Sequence, residues 1–513
     1  MELTTEINDS LVSGSPRPTY WLTRFMILRL LGFVYAMAFL VAINQILPLI
    51  GSDGLTPVSL YLKRISAALG GNTAGFIRLP SLFWFWHSDT ALLTVAWTGF
   101  VLSLIVLAGY ANAIMLAALW FMYMSFTHAG QEWYGYGWEI MLTETGFLSI
   151  FLCPLKDMRP FPNKEPPFPI IVLFRWLIFR IMLGAGLIKL RGDIIWRNAT
   201  ALYYHFETQP LPGPFSRWFH FLPHSVLKIG VGFNWLAEIV APLLVFGPRT
   251  GRHIAGSVII LFQISLVISG NLSFLNWLTI IPALACMDDG FWSRILPKRL
   301  VQRAEAVKAV SRPPSKASQR TTWFVVAVIG ILSIMPIDNM LSTGQVMNTS
   351  FDPLDLVNTY GAFGTVGQER LNVVFEGTMD NDSTDNAHWV PYIYKGLPVE
   401  LNRRPPQIAP YQLRLDWQMW FASMSTADEY SWTYNLIWKL LHNDKRIAGL
   451  FAKNPFPKSP RYIRAVLYRY HFAKPKDPEG LWWNREKIGL WIHPMDVNDP
   501  ELIGVLKSEG WMQ

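Results

Sequence analysis

Along the first two-thirds of the chain, apolar residues run in unbroken blocks instead of alternating with polar ones. Nine blocks stand out, at about 27–49, 91–107, 111–126, 138–154, 168–188, 230–247, 254–269, 273–286 and 322–337. A helix that is apolar on every side belongs in a membrane, although several of these blocks are shorter than the roughly 20 residues of a perpendicular span. After residue 340 the pattern changes. Asn372–Gly377, His388–Lys395 and Tyr462–Phe472 carry the β-branched and aromatic residues of strands, and Leu413–Met424 and Tyr434–His442 have helical spacing. The pattern predicts a polytopic α-helical membrane bundle followed by an α+β C-terminal domain with a β-sandwich-like core. The expected organisation is an N-terminal tail (1–26), a multi-span domain (27–287) with an outer loop (190–229), a basic linker (288–321), a last transmembrane helix (322–339) and the C-terminal domain (340–513).

Composition agrees. The chain is 51% hydrophobic and 16% charged, against about 25% charged in soluble domains. The net charge of +8 does not point to nucleic acid, because the basic residues cluster beside apolar blocks, where they set topology. Linker 288–321 holds Arg294, Lys298, Arg299, Arg303, Lys308, Arg312, Lys316 and Arg320, which places it inside; the N-terminus then lies inside as well. Loops 128–137 and 190–229 and the C-terminal domain lie outside. The polar first residues lack a cleavable signal, so the first helix is expected to act as a signal anchor. Cys153 and Cys286 both sit in apolar blocks, which excludes a CxxC centre and a cysteine-based metal site; no cofactor or metal is expected.

Ionisable residues inside the blocks are costly to bury and mark either helix pairing or function. They are Glu139, Glu144, Arg175, Arg180, Lys189 and Glu238. Arg175 and Lys189 are 14 residues apart, close to four turns, and share a helix face. Glutamate–arginine or glutamate–lysine pairs between neighbouring helices are one expectation, a relay the other. In the outer loop, His205, Glu207, His220 and His224 carry the groups for acid–base chemistry or a metal site, yet their spacing fits no metal motif; the alternative is a structured cap. In NRRPPQIAPYQLRLDWQMWF, Arg403, Arg404, Trp417 and Trp420 stand among rigid prolines, which suits either protein recognition or a domain core. There is no P-loop, GxGxxG, HExxH or GxSxG, and no catalytic residue is assigned.

ALYYHFETQPLPGP (201–214), SFLNWLTIIPALACMDD (273–289), VNTYGAFGTVGQERLNVVFEGT (357–378) and RRPPQIAPYQLRLDWQMWFA (403–422) resemble the lipase maturation factors, as does WEIMLTETGFLSIFLCPL (138–155). The resemblance implies a multi-pass membrane protein of the endoplasmic reticulum with its C-terminal domain in the lumen; in a bacterial relative the membrane would be the inner membrane. It implies a chaperone-like role in the folding and assembly of secreted proteins, lipases in the best-known relatives, so the expected partners are nascent secreted proteins and the lipid bilayer. Arg403, Arg404, Trp417 and Trp420 are the candidate client contacts. The membrane half is also similar to the transmembrane region of vitamin K-dependent γ-carboxylase. That opens an alternative, a membrane-embedded enzyme using Glu144, Lys189, His205 or Glu207.

Overall fold

The computed structural model describes residues 18–512. All nine apolar blocks are helical: α1 (Trp21–Ile50), α2 (Asp89–Ala108), α3 (Ala113–Ala129), α4 (Gly137–Ile150), α5 (Phe168–Gly192), α6 (His224–Leu244), α7 (Arg249–Ser269), α8 (Leu275–Cys286) and α9 (Lys316–Leu341). Six of them, α1, α2, α5, α6, α7 and α9, are long and apolar enough to cross a membrane. The shorter α4 is buried along almost its whole length, so its surroundings are protein and its length need not match a bilayer. Most of the expected N-terminal tail lies outside the described residues; its last part, from Trp21, is already the first turns of α1.

The loops separate to opposite ends of the bundle. At one end Asp289 accepts hydrogen bonds from Thr19 Oγ1 (2.7 Å) and the Leu22 amide (2.7 Å), and Lys164 bridges to Arg312. These residues belong to the loops and basic linker that charge assigns to the inside. At the other end, loops 51–57, 130–136 and 193–223 meet the C-terminal domain. The sequence therefore segregates in space as its charges segregate along the chain.

The C-terminal domain holds four antiparallel strands, β1 (Arg370–Thr378), β2 (Val390–Pro391), β3 (Tyr462–Phe472) and β4 (Trp483–Met495), in the order β2-β1-β3-β4. The α+β expectation holds. Among the described residues, however, one sheet is present instead of two stacked ones. Helices α10 (Arg414–Ala422) and α11 (Trp432–Leu441) pack on β1 and β3 where a second sheet would lie. The strand expected at His388–Lys395 shrinks to two residues, because Pro391 has no N–H to extend the ladder. Strand β4 goes unseen in the sequence: as an edge strand it exposes Asn484–Ile488 to solvent, and that polar run hides the alternation.

A candidate cavity between the membrane bundle and the C-terminal domain

The intramembrane charges are paired. Glu144 on α4 meets Arg180 on α5, and its other oxygen accepts from the Asn358 amide (3.1 Å) and the Tyr360 hydroxyl (2.7 Å). Arg180 Nη1 also donates to the Asn358 carbonyl at 2.6 Å. Lys189 donates to both oxygens of Glu238 on α6, at 2.7 and 2.8 Å. Arg175 donates to the Tyr20 hydroxyl and the Ala285 carbonyl. Glu139 finds its partner far away, in the C-terminal domain: Arg414 Nη1 lies 3.0 Å from Glu139 Oε1, and both side chains are 0% exposed. Pairing across helices is thus the outcome for Glu144 and Lys189, and their paired atoms are engaged.

Glu238 reaches Lys189 from a widened turn. Residues Leu236–Val240 form a single π-helical turn inside α6. Pro242, which has no N–H and whose ring crowds the carbonyl of Glu238 four residues earlier, accounts for the break in the regular ladder. Gly186 on α5 allows the close approach, since a Cβ there would lie 2.4 Å from Ile239 Cδ1 and 3.0 Å from the Glu238 carbonyl oxygen.

Above this pair lies a cavity of about 610 Å³. Its floor is the outer ends of α5 to α8, with Lys189, Asn234 and Glu238. The short helix Leu202–Thr208 and the glycine-rich segment 361–367 close one side, and α10 with Trp417, Trp420 and Phe421 forms the roof. The motif VNTYGAFGTVG is therefore bifunctional. Its polar start binds Glu144 and Arg180, and its glycine-rich end walls the cavity. His205 lines the cavity with its ring edge-on to Phe363, centroids 4.8 Å apart. Burial, and then the Lys189 charge, lower its pKa to about 4, so it is neutral at physiological pH. His205 Nδ1 and Trp417 Nε1 have no hydrogen-bond partner among the described residues.

The candidates from sequence divide accordingly. Lys189, His205, Trp417 and Trp420 come together at the cavity although they are up to 231 residues apart. Glu144 and Glu207 do not join them. Glu207 turns toward the outer domain, accepting from the Phe472 amide (2.7 Å) and lying 3.0 Å from His471 Nδ1. Although His220 approaches Glu207 at 3.7 Å, His224 stacks instead on Tyr203 at 4.0 Å, so the loop quartet does not converge on one centre. The expected client contacts need correction. Trp417 is only 3% exposed, packed against Tyr136 and Trp138. Trp420 donates to the Thr208 carbonyl, and Arg403 donates to the carbonyls of Tyr394 and Lys395, which fixes a turn. Only Arg404 remains on the surface, over the rings of Trp218 (5.0 Å), Trp482 (5.5 Å) and Phe215 (5.7 Å). Polar residues inside apolar blocks were the overlooked signal for the floor: Asn234 stands one helical turn before Glu238.

The two halves are joined by their most unusual segments. Gln45 Nε2 donates to the Gln412 carbonyl (2.7 Å), and its Oε1 accepts from the Arg414 amide (3.0 Å). Asn271 donates to the carbonyls of Pro212 and Pro406 and accepts from the amides of Ile408 (2.7 Å) and Ala409 (2.9 Å). Asn271-Leu-Ser is an N-glycosylation sequon, but the Asn271 side chain is consumed in this joint and offers no free amide to glycosylate. Arg370 donates to the carbonyls of Glu207, Gln209 and Pro210, locking the proline-rich loop to β1.

Comparison with known proteins covers both halves in the same order. Residues 22–294 match the lipase maturation factor transmembrane domain, and residues 356–493 match the lipase maturation factor C-terminal domain. Lipase maturation factor 1 of Bos taurus is 42% identical over 517 residues, covering 96% of this chain and 92% of that protein. The Homo sapiens protein of the same name is 40% identical, covering 97% and 92%. Lipase maturation factor 2 of Mus musculus is 28% identical, covering 93% and 83%. No solved structure matches the chain. With its multi-pass bundle, its capped outer end and this likeness along nearly its whole length, the chain belongs to the lipase maturation factor family.

Proposed function

We propose that this protein is a membrane-anchored maturation factor that assists the folding and assembly of lipases, acting by binding and not by catalysis. The observation that carries this reading is the likeness of both halves, in order, to proteins named for lipase maturation. On this reading the membrane is that of the endoplasmic reticulum, the outer domain faces the lumen, and the clients are nascent secreted lipases.

The client surface proposed here is the patch around Arg404. Phe215 and Trp218 are exposed on the outer loop, and Arg404 and Arg217 pack over them and over Trp482. Tryptophan supplies a large, rigid contact area and arginine a planar head with five donors, the make-up of binding hot spots. The patch joins residues of both family domains.

The test is secretion of a homodimeric lipase from cells deprived of their own maturation factor. Supplying this chain should restore the specific activity of the secreted lipase. Arg404→Ala with Trp218→Ala should reduce that rescue at an unchanged level of the membrane protein. Lipase activity that does not respond to the chain would refute the reading. Full rescue by the double variant would remove the patch from it.

A further inference from the structure

We propose that the cavity between bundle and outer domain binds one uncharged acyl lipid, held by its ester carbonyl oxygens. This reading rests on the cavity alone and does not depend on the identity of the clients.

The first argument is chemical. Trp417 Nε1 is an obligate donor, buried, at the cavity and unpartnered among the described residues. A buried donor without an acceptor costs about 1–3 kcal/mol, so such groups persist where something supplies the acceptor. His205 Nδ1 stands with it, a second donor in the tautomer that carries the proton there. The complementary ligand carries acceptor oxygens.

The second argument concerns charge. Among the described residues that line the cavity, the one ammonium, Lys189, is already closed on both oxygens of Glu238. No cation is left free there to match a carboxylate or phosphate, and His205 is neutral at physiological pH. A carbonyl suits these donors; an anion would be buried without a counter-charge.

The third argument is access and size. Aromatic side chains line much of the wall, and the volume of about 610 Å³ lies within the usual range for small-molecule sites. The rim residues Val226, Met347 and Met424 remain exposed. Val226 sits at the start of α6, three residues before Ile229, which is 72% exposed on that spanning helix. The cavity thus opens beside the surface that acyl chains cover.

The test is photolabelling of the full chain in nanodiscs with a diazirine-bearing monoacylglycerol, and separately with the fatty acid of equal chain length. The monoacylglycerol should label peptides around Val226 and Met424, compete with unlabelled monoacylglycerol, and exceed the fatty acid by about tenfold. Trp417→Phe, which keeps the ring and removes the donor, should weaken labelling by roughly fivefold, in line with the loss of one hydrogen bond. Ala185→Phe, which places a ring into the cavity, should abolish it. Should that variant fail to fold, Trp417→Phe alone still decides. Labelling spread evenly over the membrane helices and indifferent to Trp417→Phe would overturn the proposal, because it would mean ordinary bilayer contact. A preference for the fatty acid would overturn it equally.

Discussion

Replacing Arg414 by Met should loosen the outer domain from the bundle while leaving each half its own core. Arg414 and Glu139 are fully buried and 3.0 Å apart, and the guanidinium also lies 3.4 Å above the Tyr134 ring and donates to the Trp133 carbonyl. Met fills much of the space of the aliphatic stem. It leaves the Glu139 carboxylate buried without its cation, with neutral donors such as the Tyr123 hydroxyl. Removing one member of a buried pair costs about 3–5 kcal/mol, most of it for the stranded charge. Glu139→Gln strands Arg414 in the same way. The double variant strands neither, so its loss should be well below the sum of the two, with a coupling energy of roughly 2–3 kcal/mol. The assay is thermal unfolding of the full chain in detergent, with limited proteolysis of segment 342–369 as a second readout of domain detachment. Losses that simply add, or an Arg414→Met variant within about 0.5 kcal/mol of the parent, would refute the idea that this pair fastens the two halves.

Other substitutions read other parts of the molecule. Burial pushes the Asp416 carboxyl up to about 6, even though its Oδ1 accepts from the amides of Gly396 (2.6 Å) and Leu397 (3.1 Å). An acid whose pKa is higher folded than unfolded destabilises the fold once both states ionise, so this penalty is absent below about pH 4 and complete above about pH 6. Asp416→Asn keeps the acceptor without the charge and should stabilise the protein at pH 7.5 by up to about 3 kcal/mol, a gain that vanishes near pH 4 in thermal scans. Gly186→Val should cost about 1–3 kcal/mol by forcing α5 and α6 apart at Ile239, measurable as a lower unfolding temperature; an unchanged value would show that the contact can yield. Asn271→Ala should weaken the joint as a buried polar loss, and Asn271 should stay unglycosylated in cells; a glycan there would contradict its burial.

How much of this was readable beforehand depends on the range of the interaction. The apolar blocks, β1 and β3 depend on local composition; the two strands were placed within two residues and the helices with ends off by up to six. The Glu144–Arg180 and Lys189–Glu238 pairs followed from the cost of intramembrane charge, although which glutamate meets which cation depends on how helices pack. The role of Arg414 was not legible because its partner is 275 residues away. Trp417 was misread for a related reason. A tryptophan beside prolines looks the same whether it faces solvent or Trp138, and only the docking of the outer domain decides. The cavity was legible only as four scattered candidates, since its walls come from both halves of the chain.

The Glu139–Arg414 contact also imposes an order in time. Glu139 reaches the membrane with α4, but Arg414 is synthesised 275 residues later. At about 5–20 residues per second, that interval is roughly 15–55 s. Throughout it the nascent bundle carries a carboxylate whose cation has not yet been synthesised, and this contact of helix α4 cannot form until the C-terminal domain has folded back onto the bundle. Truncation anywhere before residue 414 would therefore leave a half-finished bundle with a permanently exposed defect at its outer end, the kind of flaw that membrane quality control removes.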